Sequence, residues 1–335
     1  MNKADIKIFH LFTLISFLFI ILTTNYLTLN DIIFLANQTD VISYSEIAKI
    51  APTLPLQSEI IIQHVAQRFL IPYLAGSIAS IFNIDFFSIF QIFTFLLVIF
   101  YIFIIYKIVI KLNFNLRISI LFFTLLFFNP YIVRSHIFNP VQAHDMLFFC
   151  LGLIFAFSLY YNKFLINLLT TLISIYLRQS SIALFIGSSF FLIKNKKIIL
   201  FLLLIFTYFI SLFLITEIGE KISKDTFPFN LAYGILYYDF SELNKLFKFI
   251  LLGLMPFLPL SIVIFGSINK NFKISNTTIL FFVCAMLIGQ PILGGPDNTV
   301  NNVGRIANLS YPILTFACFR IWNFENFIKK DLLFY

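Results

Sequence analysis

The sequence predicts an all-α polytopic membrane protein with about ten transmembrane helices. Three observations carry that prediction. Sixty per cent of the 335 residues are hydrophobic and only 11% are charged, too little polar surface to coat a soluble domain. Several apolar runs exceed the ~18 residues that mark a spanning helix. The clearest, Phe86 to Tyr106, holds one Gln and no charge. Lysines also recur in the short joints between such runs, where charge sets orientation.

Taken in order, spans are expected near residues 7–29, 86–107, 118–133, 146–161, 164–177, 180–193, 198–216, 246–268, 275–290 and 304–322. The first run follows Lys3 and Lys7, and no small-residue cleavage site comes after it, so it reads as a retained helix. Residues 1–335 form a single transmembrane domain, with outer loops at 30–85, 217–245 and 291–304. The apolar stretch 69–82 contains Pro72 and Gly76 and is only about 21 Å long as a helix. Counting it as a span would also place Lys107, Lys111 and Arg117 outside. The segment 57–83 therefore reads as a helix lying on the outer face. Glu59, Gln63 and Gln67 form one polar line, His64 and Arg68 stack beside it, and Ile61, Val65 and Phe69 face the other way.

With these spans, one side collects fourteen Lys/Arg against three acids, and the other collects nine against twelve. Basic residues concentrate on the cytoplasmic side, so both termini are expected in the cytoplasm and the chain in the plasma (inner) membrane. The net charge of +8 is thereby a topology signal and calls for no nucleic-acid partner. Cys150, Cys284 and Cys318 sit in apolar runs with no disulfide or zinc spacing. No phosphate-loop or dinucleotide glycine pattern occurs.

Arginine behaves differently from lysine. Of six arginines, four fall at the expected outer surface: Arg68, Arg134, Arg178 and Arg305. The planar guanidinium suits bidentate binding of phosphate or carboxylate, and ionisable groups near the membrane are costly without a partner. The bland alternative is that each reaches lipid headgroups or pairs with an outer acid. The same surface gathers His64, His136 in NPYIVRSHIFNP, His144-Asp145 at the next helix start, Gln179 in YLRQSS, and Asp297 in PILGGPDNTVNNVGR. Helix-breaking Asn-Pro and Gly-Gly-Pro segments are tolerated at membrane depth only where they line a cavity or are buried in protein. In NQTDVISYSEIA, Ser43-x-x-Glu46 reads as a capping box. It opens a short helix that ends before Pro52, with Asp40 in the loop just ahead and Tyr44 one turn on. Asp40 is then either a solvated loop acid or a general base facing an arginine-lined cavity.

This arrangement resembles the GT-C superfamily of membrane glycosyltransferases. The resemblance rests on TDVISY in the first outer loop, the loop-helix end RFLIPYL, NPVQAHD, IYLRQSS and NVGRIANLSYP, in that order and on one side. It implies a polyprenyl-phosphate-linked sugar as donor, an unidentified acceptor, and inverting transfer that is metal-independent or metal-assisted. No metal ligands are assigned and the cofactor stays open. Asp40 would be the base. Arg68, Arg178 and Arg305, with His64, would hold the donor phosphate. Tyr44, Arg134, His136, His144, Asp145, Gln179 and Asp297 would serve the acceptor or a secondary site. Two departures stand out: Val41 follows Asp40 where many members carry a second acid, and no C-terminal outer domain is expected. Competing readings are a transporter or flippase for a lipid-linked or anionic solute, an acyltransferase with His64 or His136 as base, and a structural membrane protein.

Overall fold

The computed structural model describes residues 3–24, 39–224, 247, 254–258, 260, 276–293 and 306–321. The described residues are helical throughout, apart from joints and one isolated bridge between Ser58 and Ser223. The chain opens with α1 (Lys3–Thr23), α2 (Thr39–Ile50), the single turn α3 (Gln63–Ala66) and α4 (Leu70–Phe82). It continues through α5 (Phe86–Lys111), α6 (Leu116–Phe127), the short α7 (Ser135–Phe138) and α8 (Ala143–Tyr160). The remaining helices are α9 (Phe164–Ile175), α10 (Ser181–Lys194), α11 (Ile198–Ile222), α12 (Asn276–Leu293) and α13 (Tyr311–Ile321).

Four helical segments are long and apolar enough to cross a bilayer: Lys3–Thr23, Phe86–Lys111, Pro140–Tyr160 and Ile198–Ile222. A fifth arises if Leu116–Phe127 and Pro130–Phe138, bent by 42°, count as one broken span. That bend lies where Asn129-Pro130 interrupts the helix expected to continue to residue 133. Proline lacks the N–H that would extend the ladder, and the Asn129 side chain accepts from Tyr131 N at 2.9 Å to start the next turn. The helices α9 and α10 have 12 and 14 residues, or roughly 18–21 Å at 1.5 Å per residue.

The core is built around α8, which packs against α5, α9 and α13. Its candidate span is 78% buried, against 17% for those of α1 and α11. Small residues permit the close approaches. Gly187 of α10 faces Val283 of α12, and Gly152 of α8 faces Ile313 of α13. Hydroxyl and amide groups join the buried seams. Asn167 Nδ2 donates to Ser158 Oγ at 3.3 Å, and the Thr171 and Ser188 hydroxyls meet at 2.6 Å. Small and hydroxyl-bearing residues are the usual adhesive where helices cannot separate from lipid by hydrophobicity alone.

The two ends of the bundle differ in character. At one end, Tyr161 Oη donates to the Lys111 carbonyl at 3.2 Å, and Lys194 Nζ donates to Asn276 Oδ1 at 3.0 Å. Asn276 in turn bonds the Leu159 carbonyl at 2.9 Å, and Arg320 bonds and stacks on Tyr160. This end is basic. The opposite end carries Asp40, Arg68, Asp145 and Arg178.

Three local expectations are corrected. The segment 57–83 is not one helix: residues 51–62 are non-helical, α3 begins at Gln63, and Gln67–Phe69 separate it from α4. Gln57 has φ 51°, a left-handed conformation that cannot start a right-handed helix. Its N–H and that of Ser58 bond the carbonyls of Lys221 and Ile222 at 2.9 and 2.8 Å, so this stretch runs beside the end of α11. Glu59 therefore leaves the polar line and pairs with Lys224 at 2.6 Å, while Ile61 and Val65 are buried within the protein instead of lying on a membrane-surface helix. Ser43 is likewise no cap. The helix α2 starts at Thr39, placing Asp40 in its first turn, and Ser43 bonds the Ile60 carbonyl at 3.1 Å. The helices before the expected loops at 217–245 and 291–304 also run further than expected, α11 to Ile222 and α12 to Leu293.

Candidate functional site

Four separate segments meet at the acidic-and-arginine end of the bundle. The helix α2 supplies Asp40 and Tyr44, the α3 turn and its continuation supply His64, Gln67 and Arg68, α8 supplies His144 and Asp145, and the α9–α10 junction supplies Arg178 and Gln179. The position of α2 is set by α4: a Cβ at Gly76 would lie 2.0 Å from the Ala48 carbonyl oxygen, so only glycine allows this approach. Gly219 holds α11 against Gln67 in the same way, with a built Cβ 3.0 Å from Gln67 Cγ.

The inner part of the site is an unbroken polar chain. Tyr44 Oη lies 3.1 Å from His144 Nε2, and that nitrogen lies 3.1 Å from Asp145 Oδ1. The contact with a carboxylate favours the tautomer protonated at Nε2. Asp145 Oδ1 also forms an ion pair with Arg178 Nη1 at 2.8 Å. Asp145 is 1% exposed and Arg178 3%, so the pair is a buried ion pair rather than an open cavity wall. Such pairs fix geometry, because either charge left alone in the interior is far more costly than the two together.

Arg68 is 8% exposed and is held differently. Its Nε and Nη2 donate to Gln179 Oε1 at 3.2 and 2.8 Å, and its Nη1 donates to Tyr44 Oη at 3.4 Å. Gln179 Nε2 donates to the His64 carbonyl at 3.0 Å and to Gln67 Oε1 at 2.8 Å. Among the described residues, no carboxylate lies within ion-pair distance of Arg68. The outer part is wetter. Asp40 Oδ1 stands 3.6 Å from His64 Nε2, with side chains 26% and 43% exposed respectively.

The expected residues thus divide clearly. Asp40, Tyr44, His64, Arg68, His144, Asp145, Arg178 and Gln179 come together. Arg134 is exposed beside the π-turn Pro130–Arg134 and makes no ion pair among the described residues. His136 is buried, with Nδ1 3.0 Å from Ser135 Oγ and its ring 5.5 Å from that of Phe149. Arg305 and Asp297 lie outside the described residues. Sequence reasoning passed over Gln67 as more than a polar helix face. It also passed over Ser223, which donates to the Ile61 carbonyl at 2.5 Å and braces the segment before α3. Nothing local in the sequence marks Ser223. No group of three or more His, Cys, Asp and Glu side chains that could hold a metal ion occurs among the described residues.

Chemically, the site offers an accessible carboxylate, a shielded guanidinium without an acid partner among the described residues, and a buried ion pair joined to Tyr44 through His144. Searches against protein families, curated proteins and solved structures find no match to this chain.

Proposed function

We propose that the protein is a GT-C-type glycosyltransferase, moving a sugar from a polyprenyl-phosphate donor to an acceptor hydroxyl at the outer face of the plasma membrane. The observation that supports it is the presence, at one end of a helical bundle, of both the accessible Asp40, beside His64, and the shielded Arg68, held by Gln179 and Tyr44. In this reading ten helices cross the bilayer, the basic end faces the cytoplasm with both termini, and the site faces outward. Asp40 removes the proton from the acceptor hydroxyl as its oxygen bonds the anomeric carbon. The bond from that carbon to the phosphate oxygen breaks, and polyprenyl phosphate leaves with the electron pair. Arg68 holds the developing charge, and the Asp145–Arg178 pair positions the wall behind it. A positioned base contributes about 10²–10⁴-fold, and a donor aimed at developing charge roughly 10²–10³-fold.

A lipid-linked-solute transporter is the second reading, because a shielded arginine also suits the carriage of an anion. The deciding experiment incubates membranes containing the protein with labelled polyprenyl-phosphate sugars and follows release of polyprenyl phosphate, beside Asp40→Asn at equal expression. Release that depends on Asp40 supports transfer. Absence of release combined with flux of the labelled lipid across vesicles overturns it in favour of transport.

A further inference from the structure

Two arginines are buried at the site, and they are held by opposite means. Arg178 lies 2.8 Å from the Asp145 carboxylate. Arg68 is gripped by a neutral amide, which accepts from both Nε and Nη2 at 3.2 and 2.8 Å. The amide is itself fully committed, with its Nε2 donating to the His64 carbonyl and to Gln67 Oε1 at 3.0 and 2.8 Å. An amide offers one acceptor oxygen and two donor hydrogens, and Gln179 uses all three. Its orientation is therefore fixed, because a flipped amide would aim hydrogens at the guanidinium and its oxygen at two acceptors. The Arg68 contacts engage three of the five guanidinium N–H groups.

A buried cation without a counter-charge is costly. A glutamate has nearly the same shape as glutamine and would remove that cost where it stands. The chain instead carries glutamine at 179 and an acid at 145, although Arg178 and Gln179 are adjacent in sequence. Neutrality at 179 thus keeps the positive charge of Arg68 available, and full hydrogen bonding keeps its geometry fixed.

We propose that Gln179 is a positioning residue: a charge-neutral clasp that pre-organises Arg68 as the receptor for a phosphate monoester. This rests on the donor class proposed above and adds the residue that tunes it. The clasp also explains why Gln67 and the His64 carbonyl converge on the α9–α10 junction. They lock the amide so that it cannot rotate its nitrogen toward Arg68.

The test measures binding of a short isoprenyl monophosphate to the detergent-solubilised full chain, with the corresponding alcohol as control. It compares the native protein, Gln179→Glu and Gln179→Leu, and records the unfolding midpoint of each. In Gln179→Glu the carboxylate neutralises Arg68. Affinity for the phosphate is expected to fall about tenfold or more, on the scale of one charge-assisted hydrogen bond, while the midpoint falls less than in Gln179→Leu, because neutralising Arg68 offsets the two donors lost to the His64 carbonyl and Gln67 Oε1. In Gln179→Leu both affinity and midpoint fall. A merely structural glutamine would not separate the two readouts. Native-like affinity in Gln179→Glu overturns the clasp while leaving the donor class intact. A Gln179→Glu midpoint as low as that of Gln179→Leu also overturns it, because the carboxylate would then not be compensating Arg68. Native protein that ignores the phosphate overturns both the clasp and Arg68 as an anion receptor, whatever the transfer assay shows.

Discussion

Removing the Asp145 carboxylate should unsettle the bundle much more than removing both members of its pair with Arg178. The two charges are separated by 2.8 Å and exposed by only 1% and 3%. At an effective dielectric of about 20 their attraction is roughly 6 kcal/mol, most of it offset by the water both groups surrender. Breaking a buried pair from one side typically costs about 3–5 kcal/mol, whereas replacing both members with apolar side chains of similar volume is close to neutral. Asp145→Asn keeps the shape and strips the charge. At roughly 2 °C per kcal/mol for a chain of this size, its midpoint should fall about 6–10 °C. The double variant Asp145→Leu with Arg178→Met should stay within about 2–4 °C of the native protein on the same scale. The assay can use the protein's own thiols. Cys150, Cys284 and Cys318 are all buried, so a thiol-reactive dye in detergent reports their release on unfolding. A drop of less than about 2 °C in Asp145→Asn, or a double variant worse than either single one, would refute the view that this pair braces the site.

Three further outcomes follow from the packing. Gly76→Ala should push α2 off α4, since its Cβ would sit 2.0 Å from the Ala48 oxygen. A cost of about 1–3 kcal/mol or more is expected, whereas Gly152→Ala, at 3.4 Å from Ile313 Cγ1, should be tolerated; parallel dye-melting curves distinguish them. Tyr44→Phe deletes the hydroxyl shared by His144 and Arg68. It should lower stability by roughly 1 kcal/mol and weaken phosphate binding, and native values in both measurements would remove Tyr44 from the site. A cysteine placed at Lys196 should react with an impermeant maleimide only from the cytoplasmic side of oriented vesicles if the proposed orientation holds; reaction from the other side alone would overturn that orientation.

The all-helical class and most helix positions were legible because bilayer length and apolar runs leave few alternatives. Of the site, the segments that come together were legible because arginine stands out in a chain whose basic residues are mostly lysine. The way those residues are used was not. Arg178 and Arg68 look alike in sequence, and only the fold shows that one meets Asp145 while the other meets Gln179. The break before α3 was also hidden. The pattern from Glu59 to Phe69 has helical spacing, but α11, more than 150 residues on, takes the backbone hydrogen bonds at Gln57 and Ser58. Long-range competition of that kind overrides a local period. Ser43 misled for a related reason: its hydroxyl serves Ile60, a partner brought by the fold.

The burial of α8 has a consequence for how the protein is made. This helix is the best sheltered of the candidate spans, and three of the helices packed on it, α9, α12 and α13, are synthesised after it. When α8 first leaves the ribosome it carries Asp145 without Arg178, which arrives one helix later. A lone carboxylate near the bilayer is disfavoured by up to about 2.5–3.5 kcal/mol at the centre of a helix. Asp145 stands at the helix start, where that penalty is smaller, and this placement lets α8 enter before its partner exists. Its final seat, though, is completed only by α13 near the end of the described chain. Truncations before residue 311 should therefore leave an inserted but unsheltered α8, the form on which membrane quality control acts.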